Sequence, residues 1–154
     1  MTEPEVADLV QRAADAASAL IRGDSREYFR LLPHADDYTL FAPWGGEPRR
    51  GVDTSEETLD SLAAYFQGGE TEFDVLQSYT SPDLVVLVVI ERQHGKVGGL
   101  AEQDLSLRVT LVFRRDEGEW RLVHRHADPL VHPIGEEQLG ALLRGDHERG
   151  MPQS

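Results

Sequence analysis

Residues 105–127 read LSLRVTLVFRRDEGEWRLVHRHA. Leu105, Leu107, Val109, Leu111 and Phe113 recur at every second position, an acidic turn with Gly118 follows, and a second alternating run begins at Trp120. This is the pattern of a β-hairpin. With Arg115–Gly118 as the loop, Arg114 faces Glu119 and Phe113 faces Trp120. One face then carries Leu105, Leu107, Val109, Leu111 and Phe113 beside Trp120, Leu122, His124 and His126. The other carries Ser106, Arg108, Thr110 and Val112 beside Arg121, Val123, Arg125 and Ala127. In this register Arg108 stands opposite Arg125, and the two repel unless an anion or an acidic side chain lies between them. A loop of three residues shifts the pairing by one and sets Arg108 against His126 instead. The sequence leaves both registers open.

Upstream, Thr2 and Glu5 form a capping-box pattern ahead of an apolar stripe of Val6, Leu9, Val10, Ala13, Ala17, Leu20 and Ile21 at helical spacing. Asp24 with Glu27 opens a short second helix that Pro33 ends. His34–Asp37 reads as a polar turn, and Tyr38–Phe41 as a short strand. Pro43–Pro48 is a loop holding Trp44, which either lids the core edge or gates the mouth of a pocket. Asp53 with Glu56 caps a third helix, and Gly68–Gly69 marks its end. Strands follow, first over Phe73–Tyr79. The continuous apolar run Leu84–Ile90 then has the look of a strand buried on both faces. His94–Gly99 reads as a flexible connection to the hairpin, and Leu139, Leu142 and Leu143 suggest a terminal helix before a polar tail. Helices grouped early and strands grouped late predict an α+β domain with a mainly antiparallel sheet.

The formal net charge of −13 excludes a phosphate-backbone partner, since no basic stripe offsets it and Lys96 is the only lysine. The absence of cysteine removes disulfides and thiolate chemistry. The acidic start MTEPEVADLV lacks the layout of a secretory signal, and Leu84–Ile90 is too short to span a bilayer. A cytoplasmic protein without nucleic-acid or membrane partners is expected.

The segment LRVTLVFRRDEGEWRLVHRHADP resembles the closing strands of SnoaL-like proteins of the NTF2-like superfamily, and HADDYTLFAPWGGEPRRG resembles their first strand and loop. A tryptophan followed by a His-x-His strand end is similar to the association domain of calcium/calmodulin-dependent kinases. The resemblance runs from Val6 to Pro129 and implies an NTF2-like (cystatin-like) cone: a curved, mainly antiparallel sheet wrapped around N-terminal helices and enclosing a cavity. It further implies a homodimer and a family of isomerases, cyclases, dehydratases and non-catalytic oligomerisation modules. Residues 1–134 are expected to form one such domain, and residues 135–154 a C-terminal helix and polar tail. Against ketosteroid isomerases, the catalytic aspartate falls on Ala42, the oxyanion-hole tyrosine on about Asp15 and the second oxyanion-hole acid near Thr110. An alanine cannot abstract a proton, so that route is closed.

In such relatives the mixed hairpin face lines the cavity, which leaves the apolar face around Trp120, Leu111 and Val109 for a dimer partner. The candidate ligand-binding residues are Tyr38, Trp44, Glu91, Arg108, Thr110, Arg125 and His126. They suit a small apolar or carboxylate-bearing ligand if the arginines reach the cavity. Otherwise their heads reach solvent or pair with Glu91 or Asp74. His124 and His126 share a strand face as metal ligands do, with His132, His94 or Asp128 as third ligand, but none lies at a fixed short spacing. No metal is expected. His126 with Asp128, or His94 with Glu91, would make an acid–base pair, though solvated roles suit both better. No phosphate loop, Rossmann fingerprint or Ser-His-Asp elbow is present, and no cofactor is expected. The sequence therefore predicts a small-molecule-binding protein in which any enzymatic activity would be of cyclase, isomerase or dehydratase type, with no base identified. The alternative is a dimerisation or assembly module with a vestigial cavity.

Overall fold

The computed structural model describes residues 3–145, so the capping role expected of Thr2 and the polar tail beyond Gly145 lie outside the described residues. Helix α1 (Glu3–Ile21) buries Leu9, Ala13, Ala16, Ala17 and Ile21 along one side. The small residues in that stripe let the helix lie close to the sheet. Helix α2 (Ser25–Leu31) starts where the Asp24 side chain accepts from the Glu27 N–H, as its sequence indicates. Helix α3 (Glu56–Tyr65) is capped by Ser55 rather than Asp53. The Ser55 hydroxyl accepts from the Thr58 N–H, and Asp53 holds Ser55 and Thr58 from outside the helix. The Ser25 hydroxyl, fully buried, donates to the Leu59 carbonyl at 2.7 Å and ties α2 to α3.

Seven strands form one curved, open sheet: β1 (His34–Phe41), β2 (Arg49–Arg50), β3 (Phe66–Ser81), β4 (Leu84–Val97), β5 (Gln103–Asp104), β6 (Leu107–Asp116) and β7 (Glu119–Pro129). Their order is β2-β1-β7-β6-β4-β3, with β5 on the end of β4. All neighbours are antiparallel except β1 and β7. Helix α4 (Glu136–Arg144) follows the last strand and buries none of its side chains. No helix among the described residues is long and apolar enough to cross a membrane.

Several element limits depart from the sequence reading, and each has a local reason. Strand β1 begins at His34, so Asp36 and Asp37 lie in a strand rather than a turn. Asp37 is held there by Arg114 of β6, at 2.9 and 3.1 Å. Gly68 and Gly69 sit inside β3, not at a helix end. Gly69 pairs with Gly95 across β3 and β4, and a Cβ on Gly69 would lie 2.3 Å from the His94 carbonyl and 2.9 Å from Ile21. The glycines are there for close approach of backbone and helix, not to stop the chain. Strand β4 accordingly runs on through His94–Val97, which is no flexible connection. Its Val85, Leu87, Val89 and Glu91 are buried while Val86, Val88 and Ile90 are half-buried, so the central strand has one core face, not two.

The hairpin turn is tighter than Arg115–Gly118. Asp116 pairs with Glu119, and Glu117 (φ 53°) and Gly118 (φ 81°) both take left-handed conformations, the mark of a two-residue turn matched to strand twist. Phe113 therefore pairs with Leu122 and Arg115 with Trp120. Val112 then pairs with His124, leaving Val123 as an extra, bulged residue. A bulge reverses the phase of every later side chain. His124 and His126 leave the face of Phe113 and Leu122, and Arg125 and Ala127 join it. Arg108 meets Asp128 (3.7 Å), not Arg125 or His126, and the like-charge repulsion expected between the two arginines does not arise. The apolar face expected to await a partner is the core itself: Val109, Leu111, Phe113 and Leu122 are at most 3% exposed, and Trp120 packs against them.

Candidate functional site

Between the inner sheet face and the three N-terminal helices lies a recess of about 1210 Å³. Ala13, Ala17 and Leu20 of α1, Leu62 of α3, Phe73 of β3 and Leu111 of β6 make its walls apolar. Polar groups gather where α2, β1, β4 and β7 meet.

Glu91 arrives there by strand alternation, fourth in the inward series after Val85, Leu87 and Val89. Arg125 arrives by the bulge. Two strands apart, their side chains reach each other over β6, with Nη1 donating to Oε1 at 3.2 Å and Nη2 to Oε2 at 3.0 Å. The side chains are 3% and 19% exposed. Burial pushes the guanidinium pKa down, but the charge and hydrogen bonds of Glu91 outweigh this and the net shift is upward. The arginine therefore keeps its charge, with Glu91 as its bidentate partner.

His34, Tyr28 and Tyr38 stand around this pair. The His34 ring lies 4.5 Å from that of Tyr38, 5.0 Å from Phe29 and 5.7 Å from Tyr28, centroid to centroid. Its Nδ1 is 2.6 Å from the Leu32 carbonyl. Burial, only partly countered by that hydrogen bond and aided by the nearby Arg125 charge, lowers its pKa from 6.5 to about 4. Burial likewise pushes the Tyr28 and Tyr38 hydroxyls up. All three side chains are therefore uncharged at neutral pH.

Of the residues singled out in the sequence, Tyr38, Trp44, Glu91 and Arg125 line the recess. Trp44 does so at the mouth, 67% exposed. Arg108, Thr110 and His126 lie on the opposite sheet face, away from the recess, because the core claims the other face of β6 and the bulge turns His126 outward. His126 packs edge-on against Phe41 at 5.0 Å and meets Asp128 at 3.4 Å, while His124 hydrogen-bonds Thr39 through Nδ1 at 2.8 Å. His94 meets Glu102 at 3.3 Å, away from Glu91. Among the described residues no three His, Cys, Asp or Glu side chains are grouped to hold a metal ion. Tyr28 and His34 also line the recess and are not among the residues that the sequence singles out; His34 heads the stretch that reads as a polar turn. No periodic signal marks His34, because β1 is irregular between His34 and Thr39 and Asp36, in the same phase as His34 and Tyr38, is exposed.

Residues 7–131 match the family model of the SnoaL-like domain. The chain belongs to that family. Similar solved structures include an NTF2-like superfamily protein from Salmonella enterica serovar Typhimurium (16% identity over 86% of this chain and 94% of that one, TM-score 0.65). An uncharacterised protein with a cystatin-like fold from Caulobacter vibrioides is also similar (22%, 91% and 99%, TM-score 0.62). A third is the CamKII hub homology domain of Chlamydomonas reinhardtii (18%, 82% and 99%, TM-score 0.60). At these identities the likeness is one of fold. A comparison with curated proteins finds no match.

Two outcomes are expected of SnoaL-like residues held this way. Glu91→Leu, which strands a buried guanidinium, should cost about 3 kcal/mol in urea denaturation, and adding Arg125→Met should recover most of it. For His34, the folded protein binds fewer protons than the unfolded chain between the two pKa values of about 4 and 6.5. Its contribution is thus intact above pH 6.5 and lost as pH falls toward 4. Unfolding free energies from urea denaturation across that window should fall more steeply for the native chain than for His34→Phe, by a total of about 3 kcal/mol.

Proposed function

We propose that this SnoaL-like protein binds a small, mainly apolar molecule in the recess between its helices and the inner sheet face. The observation that carries the reading is a roomy apolar hollow with polar side chains converging at its base, around the Glu91–Arg125 pair. Such a site, apolar walls with a few placed polar groups, is what recognition of a small molecule requires. Filling that hollow with a ligand also removes the cost of leaving apolar walls wet. A carboxylate-bearing ligand fits less well than a neutral one. Arg125 already gives two hydrogen bonds to Glu91, and Arg108 is on the far side of the sheet. Any cyclase-, isomerase- or dehydratase-type step would have to use groups other than Ala42, which carries no proton acceptor.

A second reading, assembly through the outer sheet face, is favoured by a different observation. Val86, Val88 and Val112 form a half-buried apolar strip there, flanked by Tyr79 (58% exposed) and Phe41 (42% exposed). On this reading the homodimer forms over β4 and β6, not over the Trp120 face, and it is compatible with an occupied recess.

In a thermal-shift screen, neutral polycyclic ketones should raise the melting temperature while small aliphatic carboxylates leave it unchanged. A flat response to both classes would remove the small-molecule reading. For assembly, sedimentation at micromolar concentration should give a dimer for the native chain and a monomer for Val112→Glu. A native monomer would defeat the second reading.

A further inference from the structure

The polar end of the recess carries more information than the presence of a site. The Leu32 carbonyl can only accept, so the His34 nitrogen 2.6 Å from it, Nδ1, carries the hydrogen. In a neutral imidazole the other nitrogen, Nε2, is then an acceptor, and it has no protein partner among the described residues. Low pKa keeps it so at neutral pH. The Tyr28 and Tyr38 phenols have the opposite character. They are held protonated and make no hydrogen bond to protein among the described residues, so each has a hydrogen to donate. Arg125 lies within electrostatic reach of all three rings but is committed to Glu91. Around the paired Glu91 and Arg125, with Arg49 and Arg50 on the lining but exposed so that their charges stay in water, the polar end of the recess presents one acceptor and two donors.

We propose that the recess is selective for a neutral ligand whose hydroxyl and carbonyl oxygens sit on neighbouring carbons of an apolar body. The hydroxyl donates to Nε2 of His34, and the carbonyl accepts from Tyr28 and Tyr38. The ring separations of 4.5 and 5.7 Å put His34 beside both tyrosines, and all three rings line the recess. The apolar remainder lies along Ala13, Ala17 and Phe73. A ligand with only one of the two oxygens leaves a buried partner unsatisfied, and this is where discrimination arises. The inference rests on the small-molecule reading of the recess.

The test compares benzoin with deoxybenzoin, which lacks the hydroxyl, diphenylethanol, which lacks the carbonyl, bibenzyl, which lacks both, and benzoate. Binding is measured by calorimetry on the full chain. Benzoin should bind about tenfold more tightly than either single-oxygen compound, and benzoate most weakly. His34→Phe should erase the benzoin–deoxybenzoin difference and leave the affinity for deoxybenzoin in place. Tyr28→Phe with Tyr38→Phe should erase the benzoin–diphenylethanol difference. These ratios are internal to each variant, and Phe keeps the ring packing, so a general loss of stability does not imitate them. Equal binding of the four neutral compounds overturns the inference and leaves the small-molecule reading standing. Preference for benzoate overturns it as well. Binding of none of the five overturns both.

Discussion

The salt bridge between Glu91 and Arg125 is the constraint on which the inner face of this protein turns. Two charges have been taken out of water, and they are tolerable there only because each has the other in bidentate geometry. To meet, they need β6 between them, a one-residue bulge in β7 and an unbroken β4 as far as residue 91. Replacing either residue by a polar but uncharged one leaves the other without its counter-ion. The pair is consequently as much a statement about the path of three strands as about chemistry. It also sets the character of the recess, since a lone arginine in that position would call for an anion and a paired one does not.

Much of the architecture was legible because it is written in periodicities. The stripe of α1, the cap at Asp24, the alternation of β6 and the Gly118 turn all follow from residue spacing, and together they make the α+β arrangement readable. What was not legible shares one cause. A bulge has no composition of its own: Val123 is an ordinary strand residue whose extra place in the ladder is decided by how β6, β7 and β1 fit together. From one valine follow the outward turn of His124 and His126, the inward turn of Arg125 and the pairing of Arg108 with Asp128. Of the seven expected ligand-binding residues, His126 lies on the other face for that reason, whereas Arg108 and Thr110 do so because the core claims the other face of β6. Gly68, Gly69 and Gly95 misled in a related way. Gly69 and Gly95 allow contact between β3, β4 and the end of α1, and Gly68 takes a backbone conformation (φ 125°) that favours glycine; only tertiary structure reveals either.

His34 shows the reverse case, a residue whose importance lies in what surrounds it. In sequence it heads a polar stretch. In the fold, three aromatic rings and one main-chain carbonyl set both its charge and its tautomer. Nothing adjacent to it in the chain carries that information, apart from Leu32 two residues before.

The parallel pairing of β1 with β7 has a bearing on how the molecule comes into being. Most neighbouring strands here are joined by short connections, but 77 residues separate the end of β1 from the start of its partner β7. Closing so long a loop is entropically slow, and topologies rich in such distant pairings fold on the slower side of the usual range. Tyr28, His34 and Tyr38 come from the first quarter of the chain, Glu91 from beyond its middle and Arg125 from near its end. On a ribosome, the recess is therefore among the last parts of the protein to exist, and any nascent chain still short of β7 holds Glu91 hydrated and its apolar walls unassembled. The binding surface and the completed fold arrive together.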